Sequence, residues 1–169
     1  MSEAIQQFFL ETLKLPAELC VFICSMIPVI ELRGAIPMGW ALGLPWWQSY
    51  IFSVLGNMFP VPFILLFINK IIRWMANSKI KFFNKVANWL LKKAEKNRAK
   101  IEKYAFWGVA FFVAIPLPVT GAWTGSLVAA VIDMKFWKAL LSALIGVMIA
   151  GVIMTVIFYG GIDGLISLF

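Results

Sequence analysis

The chain has 169 residues, 62% hydrophobic and 14% charged, with a mean hydropathy of +0.90 and a formal charge of +7. A soluble domain carries about 45–50% apolar and about 25% charged residues, so this composition leaves too little polar surface for a water-soluble globule and describes an integral membrane protein. No histidine and two cysteines are present, which removes histidine-based catalysis, histidine metal sites and zinc or iron–sulfur centres; no metal, no cofactor and no enzymatic activity are expected.

In chain order, Met1–Lys14 has Glu3 and Glu11 against a single Lys14 and lacks the basic opening of a signal peptide. Leu15–Ile30 is apolar but has only sixteen residues, short of the roughly 20 that a spanning helix needs. Cys20 and Cys24 within it fall on one helical face and read as small buried hydrophobes with no chemical role. The run Glu31-Leu32-Arg33-Gly34-Ala35-Ile36-Pro37 interrupts this stretch, which resumes as Met38–Leu44. Trp46–Ile72 is long enough to span.

Between Lys70 and Lys103 there are eleven Lys or Arg and two Glu, and this segment holds the whole positive excess. Basic loops stay on the cytoplasmic side, so residues 73–103 are expected there, at the cell's inner membrane. Such a loop explains the basicity without nucleic acid, and no nucleic-acid partner is expected. Phe83, Val86, Leu90, Ala94 and Ile101 keep an approximate helical spacing among lysines, which predicts an amphipathic helix over Lys79–Tyr104 lying on the membrane surface. Tyr104–Ile115 is again short and runs into Pro116-Leu117-Pro118-Val119-Thr120-Gly121-Ala122-Trp123-Thr124-Gly125 before resuming as Ser126–Met134; Phe136–Gly160 completes a second span.

Short helices on either side of a Pro/Gly break read as re-entrant hairpins, with a Pro-kinked ordinary span as the alternative. The halves also match: Ile27-Pro28 and Gly34-Ala35 parallel Ile115-Pro116 and Gly121-Ala122, and Trp47, Gly56 and Met58 recur ninety residues on as Trp137, Gly146 and Met148. The expected fold is therefore an all-α integral membrane protein of two inverted repeats, each a re-entrant helical hairpin plus a transmembrane helix, joined by a cytoplasmic amphipathic basic helix. The first repeat covers 15–72 (hairpin 15–45, span 46–72), the connector 73–103, and the second repeat 104–160 (hairpin 104–134, span 135–160). One net crossing per half puts Lys135 and Lys138 on the same side as the basic connector, and Glu3, Glu11 and Asp163 outside.

Glu31 and Arg33 are the only charges between Glu18 and Lys70. Charges at membrane depth are costly and normally have a partner and a purpose. On a regular helix the two would diverge by about 200°, whereas an irregular tip lets them meet. Either they form a salt bridge that pins the tip, or Arg33 binds an anionic headgroup while Glu31 orients it or carries a proton. A guanidinium suits phosphate, and glycine-rich tips at Gly34 and Gly121 let backbone N–H groups and helix N-termini approach an anion. Thr120 and Thr124 offer hydroxyls at the opposite tip. Pro37, Pro116, Pro118 and Trp123 complete the candidate substrate or ion site, while Trp46-Trp47 read as interface anchors.

The run Glu31–Pro37 combined with Pro116–Gly125 resembles the small multi-drug export protein family of bacteria and archaea, over nearly the whole chain. That family is distantly similar to the DedA/VTT (SNARE-associated Golgi) group, a likeness that implies two facing re-entrant hairpins and a role in phospholipid scrambling or undecaprenyl-phosphate recycling. Where DedA proteins carry further arginines in the second hairpin, this chain has Thr120, Trp123 and Thr124.

The leading expectation is a translocase for an anionic lipid headgroup, a polyprenyl phosphate or a phospholipid, with protons as a possible coupling ion. A proton-coupled exporter of small amphipathic cations comes second, and a structural or assembly protein third. A bundle this small leaves much hairpin surface uncovered, so a homodimer is expected.

Overall fold

The computed structural model describes residues 15–77, 88, 98–116 and 120–162. The first fourteen residues, nearly all of 79–97, Pro118 and Asp163 lie outside the described residues, and with them most of the expected amphipathic connector. Seven α-helices are described: α1 Ala17–Met26, α2 Glu31–Ala41, α3 Trp46–Met58, α4 Val61–Ala76, α5 Arg98–Ala114, α6 Ala122–Val131 and α7 Phe136–Thr155, the last passing into a π-helical continuation, Val156–Ile162. Helix α5 runs unbroken from Arg98, so the end of the basic connector and the first arm of the second helix pair are one helix.

The long apolar helices form where length and hydropathy place them. Pro60 lacks an N–H and separates α3 from α4, but Phe59 keeps helical dihedrals (φ −57°, ψ −47°), so the apolar stretch Trp46–Ile68 stays effectively continuous over 23 residues. Phe136–Gly161 provides a second stretch of 26 residues. Helices α1, α2 and α6 have ten to eleven residues, about 15 Å of rise, which is half the hydrocarbon thickness of a bilayer.

Two helix ends ninety residues apart close alike. Helix α2 ends at Leu42 (φ −85°, ψ 1°) and α6 at Ile132 (φ −83°, ψ 9°). The next residues, Gly43 (φ 74°) and Asp133 (φ 56°), both turn left-handed. The Leu44 N–H then bonds the Gly39 carbonyl and the Met134 N–H the Ala129 carbonyl, each at 3.0 Å. This is the same Schellman closure twice; glycine meets its backbone demand without a Cβ penalty, and aspartate is among the side chains that best tolerate it. Pro45 (φ −62°, ψ 149°) and Lys135 (φ −57°, ψ 134°) then open α3 and α7 alike.

Each long helix starts on one helix pair and finishes on the other. Ser49 near the start of α3 donates to the Ile36 carbonyl of α2 at 3.2 Å, while α4, farther along, packs on α6. Conversely, Ser142 in α7 donates to the Phe106 carbonyl of α5, Gly151 lies against Leu32, and the Tyr159 hydroxyl reaches the Leu44 carbonyl at 2.9 Å. Leu32, Ile36, Val54, Val61, Leu65, Val109, Val113 and Val147 form the shared core, and free Cys20 and Cys24 are buried beside Val21 and Ala35 in a second cluster. Trp46, Trp47, Phe67, Trp107, Phe111, Trp137 and Val152 are exposed. Such an apolar exterior over two long apolar helices is that of a membrane protein.

Two glycines ninety residues apart let a neighbouring helix backbone approach closely. A Cβ at Gly56 would strike the Phe22 carbonyl and the Ser25 hydroxyl, and one at Gly146 would lie 2.7 Å from the Ala110 carbonyl and 2.6 Å from Val113 Cβ. Gly56→Val and Gly146→Val are each expected to cost about 1–3 kcal/mol by overpacking, read as a lowered unfolding temperature in detergent. Gly108 has open space around it, so Gly108→Ala should raise that temperature slightly through helix propensity.

Candidate functional site

The first break is a tight turn. After α1 ends, the Ile30 N–H bonds the Ile27 carbonyl at 3.1 Å and the Glu31 N–H bonds the same carbonyl at 2.9 Å. Glu31 itself has φ 48°, a left-handed conformation that costs a non-glycine residue about 1–2 kcal/mol. This single irregular residue is why two side chains two positions apart meet instead of diverging. Glu31 Oε2 lies 3.6 Å from Arg33 Nη2. Glu31 is buried, with 6% of its surface exposed, and the Arg33 side chain is 20% exposed.

The second break meets the first. Glu31 Oε1 accepts the backbone N–H of Trp123 at 3.3 Å. Trp123 is the second residue of α6, so its N–H is one of the donors that an α-helix leaves unpaired at its start. The carboxylate thus caps α6 from across the molecule, at the positive end of that helix. The Trp123 indole N–H donates back to the Met26 carbonyl at the end of α1, at 3.1 Å. Arg33 Nη2 donates to Thr120 Oγ1 at 3.4 Å, and that hydroxyl donates to the Ile115 carbonyl at 2.8 Å. Gly121 lies directly against Glu31, where a Cβ would collide with the carboxylate.

Glu31, Arg33, Thr120, Gly121 and Trp123 are therefore one constellation. Of the other expected site residues, Thr124, Gly34 and Pro37 make local contacts or sit within their own helix. Thr124 accepts the Gly121 N–H at 3.0 Å and donates to the Gly121 carbonyl at 3.3 Å, capping its own helix. Gly34 makes room for Ile30. Pro37 sits inside α2, where it withholds the N–H that would bond the Arg33 carbonyl. Pro116 ends the described part of the second break's entrance. Thr124→Val is expected to cost about 1 kcal/mol, as other lost N-terminal caps do, while leaving the Glu31–Arg33 distance unchanged; unfolding temperature and a structure of the variant check the two parts.

Sequence reasoning did not single out the Met26 and Ile115 carbonyls, which no side-chain pattern marks. It also passed over Ser49, Ser53 and Asn57, whose four-residue spacing inside an apolar span is a readable signal. Among the described residues no group of three metal-ligating side chains occurs.

The family whose description is "Putative small multi-drug export protein" matches residues 31–153. The match opens on Glu31 itself and takes in the second break, the first long apolar stretch and most of the second. Neither the curated proteins nor the solved structures contain a significant match, and none of the comparisons supports the expected likeness to the DedA/VTT group. With nearly three-quarters of its length inside that match, and with two long apolar helices under an apolar exterior, the chain belongs to the small multi-drug export protein family of membrane proteins.

Proposed function

We propose that this protein is a multi-pass transporter of the cell's inner membrane that moves an anionic lipid headgroup, of the polyprenyl phosphate or phospholipid class, between leaflets. One observation carries this reading: the Glu31 carboxylate stands between the Arg33 guanidinium and the N-terminus of α6. A guanidinium and an unpaired helix N-terminus converging on one point are the elements of a phosphate site. Here an internal carboxylate holds the place of the anion. When Glu31 takes up a proton, Arg33 and the α6 N-terminus are released to a headgroup phosphate; when it loses the proton, the phosphate is displaced.

The same account takes α1–α2 and α5–α6 as re-entrant hairpins entering from opposite sides. Helices α1, α2 and α6 and the apolar part of α5, Tyr104–Ala114, have half-span lengths, and the long helices pass from one pair to the other. Gly56, against the end of α1, lies ten residues beyond Trp46, and Gly146, against α5, ten residues beyond Phe136. Ten residues are about 15 Å of helix, half of a roughly 30 Å hydrocarbon core, which supports a midplane junction. Residues 73–103 then face the cytoplasm by the positive-inside rule. A homodimer would cover the outer hairpin faces.

The family's description favours a second reading, export of small amphipathic cations against protons with Glu31 as the exchanging carboxylate. Arg33 at 3.6 Å already supplies a positive charge there, which weighs against a cationic substrate. Reconstitution in vesicles separates the two. Labelled undecaprenyl phosphate should become accessible from the opposite leaflet with the native protein and not with Arg33→Ala; equal translocation by both removes the role given to Arg33. For export, cation-driven proton release should vanish in Glu31→Gln, and its persistence removes Glu31 as the carrier.

A further inference from the structure

Helix α3 carries a buried polar face that the headgroup site does not use. Ser49, Ser53 and Asn57 follow one another at four-residue steps, so they share one side of the helix. Ser49 and Ser53 expose none of their surface and Asn57 3%. The face turns towards the first helix pair: Ser49 bonds Ile36 of α2, and the neighbouring Gly56 lies against Phe22 and Ser25 of α1. Ser25 is fully buried too, its hydroxyl donating to the Phe22 carbonyl at 2.9 Å.

Ser53 Oγ and Asn57 Oδ1 have no hydrogen-bond partner among the described residues. Unpaired polar atoms at membrane depth are strongly disfavoured, and buried water is the usual way in which they are satisfied. Packing does not require polarity at these positions. Ninety residues on, the equivalent face of α7 carries Ala139, Ala143 and Val147, each only 1% exposed. The two halves thus provide a control: one fills these three positions with apolar side chains, and the other places Ser53 Oγ and Asn57 Oδ1 there without partners among the described residues.

We propose that the Ser49–Ser53–Asn57 face, with Ser25, holds a file of water that conducts protons from the Trp46 end of α3 to the junction of the two breaks, where Glu31 receives them. This rests on Glu31 being the titrating group of the proposed transporter. Each transfer passes a proton between neighbouring oxygens. Serine hydroxyls both donate and accept, and the Asn57 carbonyl oxygen accepts and orients. The last transfer forms an O–H bond on the Glu31 carboxylate, leaving Arg33 as an uncompensated cation. Arg33 is the one charged group in contact with Glu31 among the described residues; the second break presents the Trp123 N–H and Gly121, and α7 presents Gly151 beside Leu32, all uncharged.

The test uses the full chain in phosphatidylethanolamine/phosphatidylglycerol liposomes with a trapped pH-sensitive dye and an imposed potassium diffusion potential. Ser53→Ala combined with Asn57→Val installs the residues that the second half already carries at the equivalent positions. Proton influx should fall at least tenfold relative to the native protein. Backbone deuterium uptake in the same membranes keeps the inference falsifiable should the double variant fold poorly. In the native protein, residues 49–57 should exchange faster than residues 139–147. Undiminished influx through a folded double variant overturns the path, and equally slow exchange of both segments overturns its hydration. If proton influx depends on the file but no undecaprenyl phosphate crosses, the headgroup reading fails and the file stands. If the lipid crosses with the same pH dependence in both proteins, the file fails and the headgroup reading stands.

Discussion

Truncating Glu31 alone, as Glu31→Ala, should lower the stability of the purified protein by about 3 kcal/mol, the magnitude seen when one partner of a buried ion pair is removed. Two losses combine in that variant. Arg33, whose side chain is four-fifths buried, is left without its carboxylate, and the Trp123 N–H at the start of α6 loses its acceptor. Glu31→Gln separates them, since a glutamine oxygen still accepts from Trp123 while the charge is gone. In Glu31→Ala with Arg33→Ala the stranded guanidinium disappears, so the double variant should be more stable than Glu31→Ala alone. Thermal unfolding of the native protein, Glu31→Ala, Arg33→Ala and the double alanine variant in one detergent forms a double-mutant cycle. Additive losses would mean that the 3.6 Å pair contributes no coupling.

Gly121→Ala should damage the site as severely while leaving the backbone unstrained. Gly121 has φ 173°, an extended conformation open to any residue, so nothing in its dihedrals demands glycine. What demands it is the Glu31 carboxylate, which occupies the space that a Cβ would need. An added methyl group must push Glu31 off the α6 N-terminus or drive the two breaks apart, at about 1–3 kcal/mol, and translocation of undecaprenyl phosphate should be lost. In Glu31→Ala the space is free, so adding Gly121→Ala to that background should cost much less than it does in the native protein. An equal cost in both backgrounds would place the clash elsewhere.

The legible parts of this molecule are those that depend on neighbours in sequence. Hydropathy and length placed the long apolar stretches beginning at Trp46 and Phe136, and prolines with glycines marked both breaks. Among positions ninety residues apart, Gly43 and Asp133 share one backbone closure although glycine and aspartate share no side-chain signal. The meeting of Glu31 and Arg33 was foreseen as one of two options, but the left-handed dihedral that produces it belongs to the turn closed by the Ile27 carbonyl and leaves no residue-type signal. The capping of α6 by Glu31 joins residues 92 positions apart, beyond any local periodicity. Thr124 and Thr120 are equally plausible ligands by composition; only the path of the chain gives one to the Gly121 backbone and the other to Arg33. Ser53 and Asn57 were overlooked because a hydropathy average over an apolar span absorbs a serine or asparagine at every fourth position.

The central claim is that the junction recognises a phosphate through Arg33. Native mass spectrometry of the purified protein, with undecaprenyl phosphate and undecaprenol offered in competition, tests it most directly, because the two lipids share a tail and differ only in the phosphate. The account predicts that the native protein retains undecaprenyl phosphate in preference to the alcohol, and that Arg33→Ala loses this preference while still carrying lipid. Equal retention of both lipids by the native protein, or an unchanged preference in Arg33→Ala, would contradict it.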